Sequence, residues 1–282
     1  MKLHWNWILV PPLVLSSLLL IVSQAAFLRG SLHRDIGLGR LDPVLTFSNF
    51  VEIATDDYFT HAFSLSFGVS ATATALTLLM AFPMAYLIAR MESRWSMPLL
   101  AAVVASSFVT IVIKVLGLLL IFSSNGPLNK FLTGLGLTDG PISIVGTLPG
   151  VVLGLIYYTF GFAVLLFYSL IVTIPRSLEE AAEIHGASRL QVMRQVVLPL
   201  CVPGLAAGTL MIFNVNMGGF SSTALIGAGK VLTVPIVVQR TVLLETSYGM
   251  GAAVAAVLLM VVLLINVAAV AVIARGRKGI VT

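Results

Sequence analysis

The sequence predicts an all-α integral membrane protein with six transmembrane helices, and three observations carry that prediction. Of its 282 residues, 59% are apolar and only 10% charged, against about 45–50% and about 25% in an ordinary globular domain. The apolar residues gather into six runs, roughly 7–27, 61–89, 98–122, 146–173, 200–226 and 248–273. Each run can supply the about 20 residues that a helix needs to cross the hydrocarbon core. Between the fourth and fifth runs lies one long polar island, roughly 174–199. Residues 1–282 therefore read as a single transmembrane domain.

The first run is longer than the apolar stretch of a signal peptide, and Arg29, Arg34 and Arg40 follow it instead of preceding it. It reads as an uncleaved first helix with Pro11 and Pro12 near its start. With both termini inside, nine basic residues face the cytoplasm: Lys2, Arg90, Arg94, Arg176, Arg189, Arg194, Arg275, Arg277 and Lys278. Six face outward: Arg29, Arg34, Arg40, Lys130, Lys230 and Arg240. The bias favours cytoplasmic termini, although the first helix taken alone runs against it. The net charge of +5 is thus a matter of topology and not a sign of nucleic-acid binding.

Two outer loops carry helix signals. Phe50, Ile53 and Ala54 are helically spaced after the Ser48-Asn49 start, which predicts a short amphipathic helix before the second run. Asn125-Gly126-Pro127-Leu128-Asn129 is a turn that introduces another short helix after the third. In the fourth run Gly146, Gly150 and Gly154 are spaced four apart, which predicts one small-residue face for close helix packing.

The polar island encodes two short helices with a sharp bend. Ser177-Leu178-Glu179-Glu180 fits a capping box, and Glu179, Glu180 and Glu183 place negative charge in the first turns. Gly186 provides a left-handed exit. Ser188-Arg189-Leu190-Gln191 is a second capping box, and Pro199 marks the entry to the fifth span. Ala181 and Ala182 leave one face open to close approach.

The spacing Glu180-Ala181-Ala182, Gly186, Val196-Val197-Leu198-Pro199 resembles the EAA loop of permease subunits of ATP-binding-cassette importers, with Val196 where Ile is usual. Leu45 to Tyr58, Phe82-Pro83-Met84-Ala85-Tyr86, Asn125 to Asn129, Arg176 to Ala182, Leu225-Ile226-Gly227 and Gly251-Ala252-Ala253 are similar to the spermidine/putrescine-type branch. The resemblance implies the six-helix type I importer permease (MetI-like) fold in a prokaryotic inner membrane. It implies two ATPase subunits, a second and different permease, and an extracytoplasmic binding protein as partners. It further implies that Glu179, Glu180, Ala181, Ala182, His185, Gly186, Ala187 and Ser188 contact the ATPase. No cofactor is expected on this chain, since ATP and magnesium would sit on the partner. Gly227-Ala228-Gly229-Lys230 lacks the earlier Gly and the following Ser/Thr of a P-loop.

The implied function is passage of a small polar organic solute, with polyamine-like solutes among the candidates. Candidate pathway residues are Lys114, Tyr157, Asn214 and Asn216. Lys114 is the one charge well inside a run, and it either reaches toward the surface along its stem or serves a gate. Asn214 and Asn216 lie two apart and so point to different faces; one can face the path and the other bond a neighbouring helix. Tyr157 can line the path or lie in the core. No Asp or Glu lies within any run, which leaves zwitterionic and anionic solutes open beside polyamines. A secondary transporter or channel is the alternative, which would typically show intramembrane acids or broken helices. A membrane enzyme or metal site finds no support in His4, His33, His61 and His185, which are scattered, or in the lone Cys201.

Overall fold

The computed structural model describes residues 5–37, 39–138 and 140–278. Lys2 and His4 of the sequence argument lie outside these residues. Five helices among the described residues are long and apolar enough to cross a membrane: Val10–Ser31, Asp57–Arg90, Leu148–Val172, Arg189–Met217 and Tyr248–Ala271. Two further helices, Ser96–Phe108 and Ile111–Ile121, meet at a 101° bend and count as a sixth, broken span when taken together. The third run at 98–122 is therefore not one straight helix. Ser106 and Ser107 precede β-branched Val109 and Thr110 at the break, and the Ser107 hydroxyl donates to the Val103 carbonyl. Such residues favour backbone conformations that compete with the helix.

The chain forms two compact units. The first comprises residues up to Phe63 together with Val234–Val261. It contains α1 (Trp5–Ser31), a hairpin of β1 (His33–Asp35) and β2 (Leu41–Leu45), α2 (Ser48–Thr55), and the start of α3 (Asp57–Arg90). Antiparallel pairing sets His33 against Leu45 and Asp35 against Leu41. Pro43 and the lack of apolar alternation hid this short hairpin from the sequence reading. The Asn49 amide donates to the Ser31 and His33 carbonyls at 3.1 and 2.9 Å. The helix α2 is the expected amphipathic one, with Ile53 buried beside Phe59, Ala62, Val254 and Ala253.

The second unit holds residues 64–233 and 262–282. Its elements are the rest of α3, then α4 (Ser96–Phe108), α5 (Ile111–Ile121), α6 (Pro127–Gly134), α7 (Leu148–Val172), α8 (Arg176–Ile184) and α9 (Arg189–Val192). A π-turn, Met193–Val197, leads into α10 (Leu198–Met217), and α11 (Phe220–Gly227) follows. In the first unit α12 (Val234–Gln239) ends in a second π-turn, and the last described helix, α13 (Tyr248–Lys278), begins in the first unit and continues in the second from Val262.

Small residues set the packing of the second unit. A Cβ on Gly204 would meet Leu170 of α7 at 2.5 Å, and one on Gly208 would meet Leu166 at 2.6 Å, so α10 lies directly against α7. Ala81 and Ala85 of α3 are wholly buried with Val164, Phe167 and Ile171 of α7. The expected Gly stripe of the fourth run is shorter than its spacing suggested. Gly146 precedes α7 in a left-handed conformation, and of the three glycines Gly154 alone would press on another helix, against Ile226 and Ser222 of α11. The fifth span likewise ends at Met217 and not at 226, because Gly218-Gly219 interrupt the helix before α11.

Candidate functional site

The polar island folds around one buried carboxylate. Pro175, extended at φ −60° and ψ 130°, occupies the N-cap of α8, and no side chain caps the helix. Ser177 therefore lies inside the first turn, and the capping box expected at Ser177–Glu180 does not form. Glu179 turns inward instead. Its Oε1 accepts from Arg90 Nε at 2.8 Å and lies 2.6 Å from Arg90 Nη2, while Oε2 accepts from the Tyr86 hydroxyl at 3.0 Å. Arg90 also donates through Nη2 to the Ile171 and Ile174 carbonyls, each at 3.1 Å. One guanidinium at the end of α3 thus ties α8 to two carbonyls at and just past the end of α7. Arg176 pairs with Glu92 at 3.0 Å, but both are exposed and the pair adds little.

The bend is a Schellman motif. Gly186 at φ +86° donates to the Glu183 carbonyl at 2.9 Å, and Ala187 donates to the Ala182 carbonyl at 3.1 Å. The Ser188 hydroxyl then accepts from Gln191 N–H, and the Gln191 side chain accepts from Ser188 N–H at 2.7 Å. Of the two capping boxes expected, this is the one that forms. The helix it starts is not separate, however, since α9 passes through the π-turn into α10, so the polar segment and the fifth span form one helical rod. Pro199, which has no N–H, falls in the first turn of α10, directly after the wider π spacing.

Of the eight island residues singled out, Glu180, Ala181, His185, Gly186 and Ser188 are exposed. Ala182 and Ala187 are half-buried against the core, and Glu179 is buried. Three apolar residues that the sequence reading passed over stand out on the same segment. Leu178, Ile184 and Leu190 are 46%, 84% and 55% exposed. Their signal was present, as large aliphatic side chains in a stretch that is otherwise polar.

The four pathway candidates separate. Lys114 is buried, its ammonium 5.6 Å from the centre of the Tyr157 ring. It does not extend to the surface, and among the described residues it has no carboxylate partner. Tyr157 keeps one side exposed. Asn214 and Asn266 of α13 exchange amide hydrogen bonds at 3.0 and 3.2 Å. Asn216 is buried on another face, donating to Thr74 Oγ1 at 3.0 Å. No group of three or more metal-ligating side chains occurs among the described residues.

The chain is similar to known proteins in sequence and in fold. The family described as "Binding-protein-dependent transport system inner membrane component" matches residues 141–278, which include the whole island. The chain is 32% identical to the spermidine/putrescine transport system permease protein PotB of Escherichia coli K12 over 74% of its own length and 76% of that protein. The chain belongs to this family of inner-membrane permeases. The permease is also 29% identical, over 97% of its length and 93% of the other, to a putative 2-aminoethylphosphonate transport system permease protein, PhnU, of Salmonella choleraesuis.

Its fold matches a bacterial ABC transporter that imports the acidic polysaccharide alginate, with a TM-score of 0.80 over 96% of this chain and 95% of that one at 21% identity. It also matches the MetNI methionine ABC transporter, with a TM-score of 0.61 over 77% and 94% at 15% identity. The protein is a multi-pass inner-membrane permease of the ABC importer class, with the all-α type I fold. That membership decides against an uncoupled secondary transporter, even though one span is broken.

Proposed function

We propose that the permease couples to a separate ATPase through the segment from Leu178 to Leu190, and that its solute is a small organic amine. The observation that carries the coupling is the exposed set Leu178, Ile184 and Leu190, held on a stiff turn whose inner side is tied through Glu179 to Arg90. Aliphatic side chains displayed on a rigid, charged element gain from burial in a partner's cleft. Glu180, Ala181, His185, Gly186 and Ser188 lie beside them, and Ala182 and Ala187 support the segment from beneath.

Because α9 runs unbroken into α10, a push on the loop is delivered along a rod into the membrane. ATP and magnesium belong to the ATPase pair in this reading, and this chain binds no cofactor. A second permease, different from this one, completes the membrane portion, and an extracytoplasmic binding protein delivers the solute. Both termini are cytoplasmic, on the same side as the island, in keeping with the excess of basic residues in the inner loops.

The solute class rests on the relatives. Spermidine, putrescine and 2-aminoethylphosphonate all carry a primary amine, although their net charges differ. Buried Lys114 stands over the half-exposed Tyr157 ring near the break of the third span, and the two are assigned to gating of the path.

The deciding experiment is co-purification of the tagged permease in mild detergent, wild type against Ile184→Glu. Two ATPase copies recovered with the wild type and lost from an otherwise folded variant support the docking surface. Equal recovery from both would place the ATPase contact elsewhere.

A further inference from the structure

Within the larger unit, α3 carries a buried polar stripe of Ser66, Ser70, Thr74 and Thr77, spaced so that all lie on one helix face. At one end the stripe is bonded: Thr77 pairs with Thr159 of α7 at 3.3 Å, and Thr74 accepts from Asn216. At the other end it borders a pocket lined by Ser66, Ser70, Leu155, Asn216, Thr223 and Thr233, too tight to admit a water molecule. Two oxygens on this wall have no hydrogen-bond partner, Asn216 Oδ1 and Thr233 Oγ1, and each residue is only 3% exposed.

A buried oxygen without a partner is costly, and native folds keep few of them. Two on one pocket, beside further hydroxyls, point to a second state in which they are satisfied. The pocket lies at the Gly218-Gly219 break between α10 and α11, and α10 continues the rod that starts at the exposed turn. A movement of that turn therefore reaches this wall.

We propose that the pocket is the closed form of a solute subsite, in which Asn216 Oδ1 and Thr233 Oγ1 accept hydrogen bonds from the solute's ammonium group. This assignment rests on the amine-importer reading and adds the residues that meet the amine. An alkylammonium brings three donors and no acceptor, which suits a wall of neutral oxygens. A phosphonate or carboxylate brings acceptors alone and would face the Asn216 carbonyl oxygen unfavourably. No carboxylate lines the pocket, so the ammonium is held loosely, as release on the far side requires.

The test uses the whole importer, co-purified with its ATPase and partner permease, in proteoliposomes with its binding protein. ATP-driven uptake of labelled putrescine and of labelled 2-aminoethylphosphonate is compared for wild type, Thr233→Val and Thr233→Ser. Valine keeps the shape and removes the partnerless hydroxyl. We expect its uptake to fall by about tenfold or more, without a lower melting temperature, while serine stays within about threefold of wild type. Uptake alone separates the readings: a valine variant of unchanged or higher stability that transports normally marks the hydroxyl as a packing defect and overturns the subsite. Wild-type complex that hydrolyses ATP in response to the binding protein but takes up neither amine overturns the ammonium assignment and leaves the importer coupling standing. Absence of any ATPase from the purified complex removes the coupling reading, and the subsite falls with it.

Discussion

Arg90 Nη2 lies 2.6 Å from Glu179 Oε1, joining the last residue of α3 to the exposed turn across 89 positions of sequence. The contact is largely enclosed, with the two side chains 14% and 11% exposed. The same guanidinium bonds the Ile171 and Ile174 carbonyls. The turn is thereby fixed to the ends of two spans at once.

Glu179→Ala leaves Arg90 and the Tyr86 hydroxyl without their carboxylate. Removing one partner of an enclosed ion pair costs about 3 kcal/mol, the lower end of the buried range because the pair keeps some exposure. The melting temperature should drop, and ATP-driven uptake should fall more than ATP hydrolysis. Unchanged coupling would show that the pair only braces the loop.

Gly186 has open space where a Cβ would stand, so Gly186→Ala meets no clash and pays only for its left-handed backbone. That strain is about 1–2 kcal/mol. Gly186→Pro additionally removes the N–H that bonds Glu183 and cannot adopt a positive φ. Alanine should weaken uptake severalfold, whereas proline should abolish it with the permease still inserted. Uptake by the proline variant comparable to wild type would sink the role of the bend.

Lys114→Met removes a buried cation that has no carboxylate partner among the described residues and keeps a long apolar stem. Replacing such a charge with an apolar residue of similar volume is neutral or stabilising. The variant should melt at the same temperature or higher and lose gating, seen as altered uptake. A clear fall in melting temperature would mean that the Tyr157 contact supports the fold.

The Asn214–Asn266 pair invites a double-mutant cycle with leucine at each position. Polar pairs between membrane helices typically couple by about 0.6 kcal/mol and reach about 1.7. Two mutual amide bonds at 3.0 and 3.2 Å place this pair in the upper part of that range. A coupling energy near zero, read from thermal melts of the four proteins, would remove the pair from the helix-packing account.

Much of the fold was legible residue by residue. Local signals held wherever the backbone alone decides the outcome. Gly186 leaves the helix left-handed, Ser188 and Gln191 cap each other, Pro127 starts α6, and Ile53 faces inward from α2. Signals failed where neighbours decide. Ser177 has the composition of an N-cap, yet the chain is already helical at Arg176, and Glu179 faces Arg90 across the fold. The third run is apolar throughout, and hydropathy is blind to the break at Val109-Thr110. Gly146 shares its spacing with Gly154 but not its helix.

The sequence by itself determined that this chain spans a membrane about six times and carries one long polar segment between the fourth and fifth runs. Those properties follow from the length of apolar runs and from capping chemistry, which act over a few residues. Only the tertiary structure decided which polar groups are tied down and which are left open. Asn214 and Asn216 are alike in type and two positions apart, but the helices around them differ. One amide meets Asn266, and the other meets Thr74 and leaves its oxygen unpartnered. Hydrogen-bond satisfaction depends on what stands across the gap, and sequence spacing does not contain that.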